Sequence, residues 1–122
     1  VKSENGILEL DVKSPKSLGG ANDDFVNPEM LFAAGYSSCF GSALSLVIGK
    51  EKIETGETSV TAKVSLGQIE NGGFGLAVEM DVNIPGVTLE EAQSLTEKAH
   101  QVCPYSNATR NNIDVKLAVT NN

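Results

Sequence analysis

Hydrophobic positions along this chain switch between two periods, and the switches outline its elements. Residues 7–13 alternate, with Leu8, Leu10 and Val12 on one face, which predicts a strand. Residues 14–26 are rich in Gly, Asn, Asp and Pro and predict a loop. From Asn27 to about Lys50 the chain is apolar or small on nearly every side, which predicts a long buried helix. Asn27 is its cap, Pro28 its first residue and Glu29 a first-turn carboxylate suited to the helix dipole. Lys50 and Lys52 place positive charge near its end.

Two further alternating runs follow. Val60, Ala62, Val64 and Leu66 share one face, and Leu76, Val78, Met80, Val82 and Ile84 share another. Glu70-Asn71-Gly72-Gly73 between them predicts a hairpin, since Asn-Gly accepts the positive φ of a tight turn. Thr88-Leu89-Glu90-Glu91 has the form of a capping box. Ala92, Leu95, Ala99 and Val102 then recur at helical spacing, Cys103 extends their face, and Pro104 is expected to stop the helix. A last strand alternates Ile113, Val115, Leu117 and Val119. The order strand, helix, hairpin, helix, strand predicts one α+β domain over residues 1–122, with an antiparallel-rich sheet and two central helices.

The first helix changes that picture. One small sheet cannot cover a helix that is apolar or small all round, and its Ala, Gly and Ser positions permit close helix approach. Either the second helix or another subunit covers the rest, and a homodimer with this helix near a shared core is the favoured expectation. Residues 31–48 of this run are apolar enough to raise the question of a membrane span, but Gly35, Gly41 and four serines within them, with Glu29 at the start, favour a soluble core helix. A net charge of −7 argues against nonspecific nucleic-acid binding, and no basic amphipathic stretch points to a membrane surface. No signal-peptide pattern is visible, and two cysteines without a disulfide framework fit a reducing cytoplasm.

Those cysteines, Cys39 and Cys103, are the candidate chemistry. Each taken singly reads as a small buried hydrophobe; together, in a chain with no third thiol, they suggest a redox pair. Burial raises a thiol pKa, so a reactive Cys39 needs a cation or donor beside it. Glu29 could orient such a cation. About three turns of helix, however, put it roughly 15 Å from Cys39 on a continuous helix. The two share a site only if the helix breaks or Glu29 comes from a partner chain. His100, one turn before Cys103, reads as a solvated helix residue, and Arg110 as a surface arginine. One histidine and two cysteines fall short of four paired zinc ligands, so no metal is expected.

Two segments carry a family resemblance. Asn27-Pro28-Glu29 through Ala33-Ala34-Gly35-Tyr36 to Cys39-Phe40 resembles the helix that bears the peroxidatic cysteine in the OsmC/Ohr superfamily. Cys103-Pro104-Tyr105-Ser106-Asn107-Ala108-Thr109-Arg110 resembles the second-cysteine motif of its organic hydroperoxide resistance branch. Gly73-Phe74-Gly75-Leu76-Ala77-Val78 and Asn83-Ile84-Pro85-Gly86-Val87 are similar to that branch as well. The resemblance implies an intertwined homodimer in which Cys39 is peroxidatic, Cys103 resolving and Glu29 the active-site glutamate.

It also implies a thiol peroxidase cycle. Cys39 reduces an organic hydroperoxide to the alcohol and becomes a sulfenic acid. Cys103 condenses with it to a disulfide, and a dithiol such as a lipoylated protein restores both thiols. No haem, flavin or metal cofactor is needed. An apolar helix around Cys39 suits alkyl or fatty-acid hydroperoxides. The family's thiol-activating arginine, in a Gly-Gly-Arg segment, falls upstream of Val1, and Arg110 does not match it. The competing reading is a noncatalytic member that binds a small apolar ligand, with both cysteines as packing residues.

Overall fold

The computed structural model describes all 122 residues, Val1–Asn122. Its elements follow the order α1 (Pro28–Glu51), β1 (Ser59–Gln68), β2 (Phe74–Asn83), α2 (Leu89–Val102), α3 (Pro104–Thr109) and β3 (Asp114–Thr120), after one short 3-10 turn at Lys16–Leu18. The class is α+β, as expected.

Helix α1 starts where its cap dictates. The Asn27 Oδ1 accepts a hydrogen bond from the Met30 amide at 2.9 Å, and Pro28 occupies the first turn. The helix is continuous to Glu51 and ends on Lys52 in the left-handed region. At α2 the Thr88 hydroxyl accepts from the Glu91 amide at 3.1 Å. The return bond from the Glu91 side chain is not formed, so only half of the expected capping box is made.

The hairpin expected from the alternation is present. β1 and β2 pair antiparallel with Val60 opposite Val82, Ala62 opposite Met80 and Val64 opposite Val78. Gly72 supplies the positive φ, +83°, that the connection needs, and the Asn71 side chain accepts from the Gly73 amide. β3 lies beside β2 in parallel, with Met80 opposite Leu117. The result is a mixed sheet of order β1-β2-β3, with one antiparallel and one parallel pairing, rather than the antiparallel-rich sheet expected. A parallel neighbour requires a crossover, and α2 with α3 provides it.

One face of this sheet packs on the helices. Val78, Met80, Val82 and Ile84 of the central strand side are buried with Tyr36, Phe40, Ala43, Leu44 and Val47 of α1 and Ala92, Leu95 and Ala99 of α2. The matching positions on β1 and β3 are only half-buried. The strand expected over residues 7–13 does not form. The segment makes isolated bridges, Lys2 to Glu9 and Val12 to Val26, and leaves Ile7 86% exposed. Alternation marks a face, but a strand also needs a neighbouring ladder, and this chain folds none beside it.

Candidate active site

Cys39 sits midway along α1, half-buried, one turn after the fully buried Tyr36. Cys103 is the single residue joining α2 to α3 and is fully buried. Pro104 ends α2 as expected, because a residue before proline is pushed out of the helical region; Cys103 accordingly has φ −61° and ψ 121°. Yet Pro104 also opens α3, since proline is preformed for a first helical turn. That second helix was not anticipated. The corner it makes turns Cys103 inward, and its Sγ lies 3.3 Å from the Cys39 Sγ, with both thiols free.

A disulfide bond is about 2.05 Å long, so the two sulfurs need to close by on the order of 1 Å. That is within reach of side-chain adjustment. Burial pushes the Cys39 thiol above its ordinary value, a backbone hydrogen bond from Tyr105 opposes this, and the neighbouring Cys103 adds to the rise. The Tyr105 ring packs close over Gly35. A Cβ there would stand 3.2 Å from the Tyr105 ring, tighter than an ordinary contact.

Glu29 lies in the first turn of α1, about three turns before Cys39, on a helix without a break. The fold of one chain therefore does not bring them together. Its Oε2 is buried without a hydrogen-bond partner, the sole such side-chain atom in the chain. Arg110 does not approach the thiols either: it donates to the His100 carbonyl at 2.8 Å and to the Asn107 side chain. His100 departs from its expected solvated state. It is half-buried, tilted against Phe40 with ring centres 6.3 Å apart, and its Nδ1 lies 2.8 Å from the Ser106 Oγ. No three His, Cys, Asp or Glu side chains are grouped to hold a metal ion.

Sequence reasoning missed the polar residues that flank the thiols. The Tyr36 hydroxyl lies 2.9 Å from Ser106 Oγ and 3.1 Å from Thr109 Oγ1, all three residues buried. Their signal was faint: a lone tyrosine in an apolar run, and a Ser and Thr at helical spacing after a proline. A cavity of about 550 Å³ lies elsewhere, between the β1–β2 hairpin end and Ile113, and neither cysteine lines it.

Comparison with known proteins bears directly on this arrangement. A family model described as OsmC-like protein matches residues 20–118. An organic hydroperoxide resistance protein of Xanthomonas axonopodis pv. citri (strain 306) is 49% identical over 118 residues, covering 96% of this chain and 82% of the relative. Organic hydroperoxide resistance protein OhrA of Bacillus subtilis (strain 168) is 48% identical over 121 residues, covering 98% and 85%. Among solved structures, an organic hydroperoxide resistance protein from Elizabethkingia anophelis, crystallised with thiocyanate bound, superposes with a TM-score of 0.96. It is 75% identical and the match covers 99% of this chain and 86% of that one.

Proposed function

The chain belongs to the OsmC-like family, and from that premise we propose that it detoxifies organic hydroperoxides as a cysteine-based peroxidase. The observation that carries the reading is the 3.3 Å separation of the Cys39 and Cys103 sulfurs. Two thiols brought into contact from 64 positions apart are what a sulfenic acid and its resolving partner require. Buried packing cysteines have no such need to meet.

In the proposed cycle the Cys39 thiolate attacks the distal oxygen of ROOH and the O–O bond breaks. Cys39 becomes a sulfenic acid, and the alkoxide leaves as ROH after taking a proton. The Cys103 sulfur then attacks the sulfenic sulfur, forming the disulfide and releasing water. A dithiol reduces that disulfide and is itself oxidised to a cyclic disulfide. A lipoylated protein in a reducing cytoplasm suits that role. The half-buried Cys39 is the sulfur open to both peroxide and reductant, whereas Cys103 is sealed.

Two features support a homodimeric site. Helix α1 is long and apolar enough to cross a membrane, yet its Tyr36, Phe40, Ala43, Leu44 and Val47 are buried in the protein core. Met30 and Leu46, near opposite ends of α1, each remain 50% exposed, apolar surface that a second copy would cover. Glu29, separated from Cys39 by roughly 15 Å along α1, reaches a thiol only across such an interface, and its unpartnered Oε2 is suited to hold a guanidinium beside the thiol. Treatment with tert-butyl hydroperoxide tests the reading. It is expected to consume both thiols, release tert-butanol and yield a Cys39–Cys103 disulfide; retention of two free thiols in a version that also carries the Gly-Gly-Arg segment favours instead a ligand-binding protein.

A further inference from the structure

We propose that Tyr36, Ser106 and His100 form a polar brace that positions Cys103 against Cys39. The inference builds on the thiol pair of the proposed cycle and assigns three positioning residues to it. Tyr36 stands one turn before Cys39 on α1, His100 one turn before Cys103 on α2, and Ser106 three residues after it on α3. The contacts Tyr36 Oη to Ser106 Oγ, 2.9 Å, and Ser106 Oγ to His100 Nδ1, 2.8 Å, thus tie all three helices around the two sulfurs. The His100–Ser106 contact spans the corner whose apex is Cys103, fixing its angle. The Tyr36–Ser106 contact fixes that corner to the helix bearing Cys39.

Proton counting gives the brace a direction. The Thr109 hydroxyl donates its one proton to the Ser106 carbonyl at 3.2 Å, so Thr109 Oγ1 accepts from the Tyr36 hydroxyl. Tyr36 has then used its proton and accepts from Ser106, and Ser106 accepts from the His100 Nδ1–H. Every member is satisfied. Arg110 adds a second strap to the same corner through the His100 carbonyl. Apolar side chains of similar volume would fill this space with no desolvation cost, whereas a satisfied polar chain fixes direction as well as distance. Direction is what a sulfur–sulfur approach of 3.3 Å demands.

The experiment is a redox titration of the reduced protein in glutathione buffers, where two protein thiols and one oxidised glutathione give the protein disulfide and two reduced glutathiones. It reads the juxtaposition of the sulfurs without any peroxide. Tyr36→Phe and Ser106→Ala each remove two contacts of the network and are expected to lower the equilibrium constant for disulfide formation at least about fivefold, the effect of losing a single buried hydrogen bond. His100→Asn keeps a donor at the Nδ1 position and is expected to match the wild type. His100→Leu, of the same shape without the donor, is expected to fall with the other two. This His100 pair decides the matter should Tyr36→Phe fail to fold, because the site is half-buried. Equal constants for Asn and Leu, or for all variants despite lowered melting temperatures, would reduce the brace to fold stability alone. A wild type that forms the disulfide with glutathione but not with hydroperoxide overturns the peroxidase and leaves the brace standing.

Discussion

The Sγ atoms of Cys39 and Cys103 lie 3.3 Å apart although 64 positions separate them in the chain. The contact arises from two local decisions: an unbroken α1 that holds Cys39 at its midpoint, and a proline that turns the chain immediately after Cys103. The pair is expected to behave as a unit. Cys103→Ser should permit one oxidation of Cys39 per site, then further oxidation to the sulfinic acid as hydroperoxide rises, seen by mass spectrometry as two added oxygens. Cys39→Ser should abolish hydroperoxide consumption altogether. Normal turnover of Cys103→Ser with a dithiol would remove Cys103 from the cycle.

Burial holds the Cys39 thiol pKa above its ordinary value, so thiolate is scarce at neutral pH. Alkylation of Cys39 by iodoacetamide is therefore expected to rise about tenfold per pH unit, with a midpoint above the roughly 8.5 of a free thiol. A version extended upstream of Val1 by a segment carrying Gly-Gly-Arg is expected to shift that midpoint down, because a guanidinium beside the sulfur favours the thiolate. An unchanged midpoint would count against an upstream arginine as the activator.

Much of the fold was legible because local chemistry dictated it. Asn27 and Thr88 cap the helices they were expected to cap, and the alternation from Val60 to Ile84 identified the inward positions, buried from Val78 to Ile84 and half-buried on β1. What failed was order in space. Alternation says which way Val115 and Leu117 point, not that β3 lies parallel to β2. It likewise marked Leu8, Leu10 and Val12 as a strand without revealing that no ladder awaits them. Within the site, the cysteines stood out through their surrounding motifs. The Tyr36, Ser106 and His100 contacts did not, since they join α1 to a corner that exists only because Pro104 both ends one helix and begins another.

His100 links that corner to acid stability. Burial and the nearby Arg110 charge lower its pKa, with Glu97 opposing them. The unfolded chain then binds a proton more readily than the folded one. Stability is full above the unfolded value of about 6.5 and declines as pH falls from there toward the folded pKa. The melting temperature of the wild type should drop through this window more than that of His100→Asn, which has nothing to protonate. Parallel curves would mean that protonated His100 is accommodated without loss.

Glu29 offers the sharpest test of a site shared between chains. Glu29→Gln removes a charge from a buried, unpartnered oxygen, a gain, but also weakens the first-turn interaction with the helix dipole, a loss of about 0.3–1 kcal/mol. The two nearly cancel, so stability is expected to change by less than about 1 kcal/mol while peroxide turnover falls at least roughly tenfold. Such a split separates function from folding. Mixing this variant with Cys39→Ser goes further. If Glu29 of one subunit serves Cys39 of the other, each mixed dimer regains one complete site, and random exchange should restore about a quarter of wild-type activity from two inactive stocks. If both residues of a site come from one chain, every mixed dimer carries only broken sites, and no activity returns.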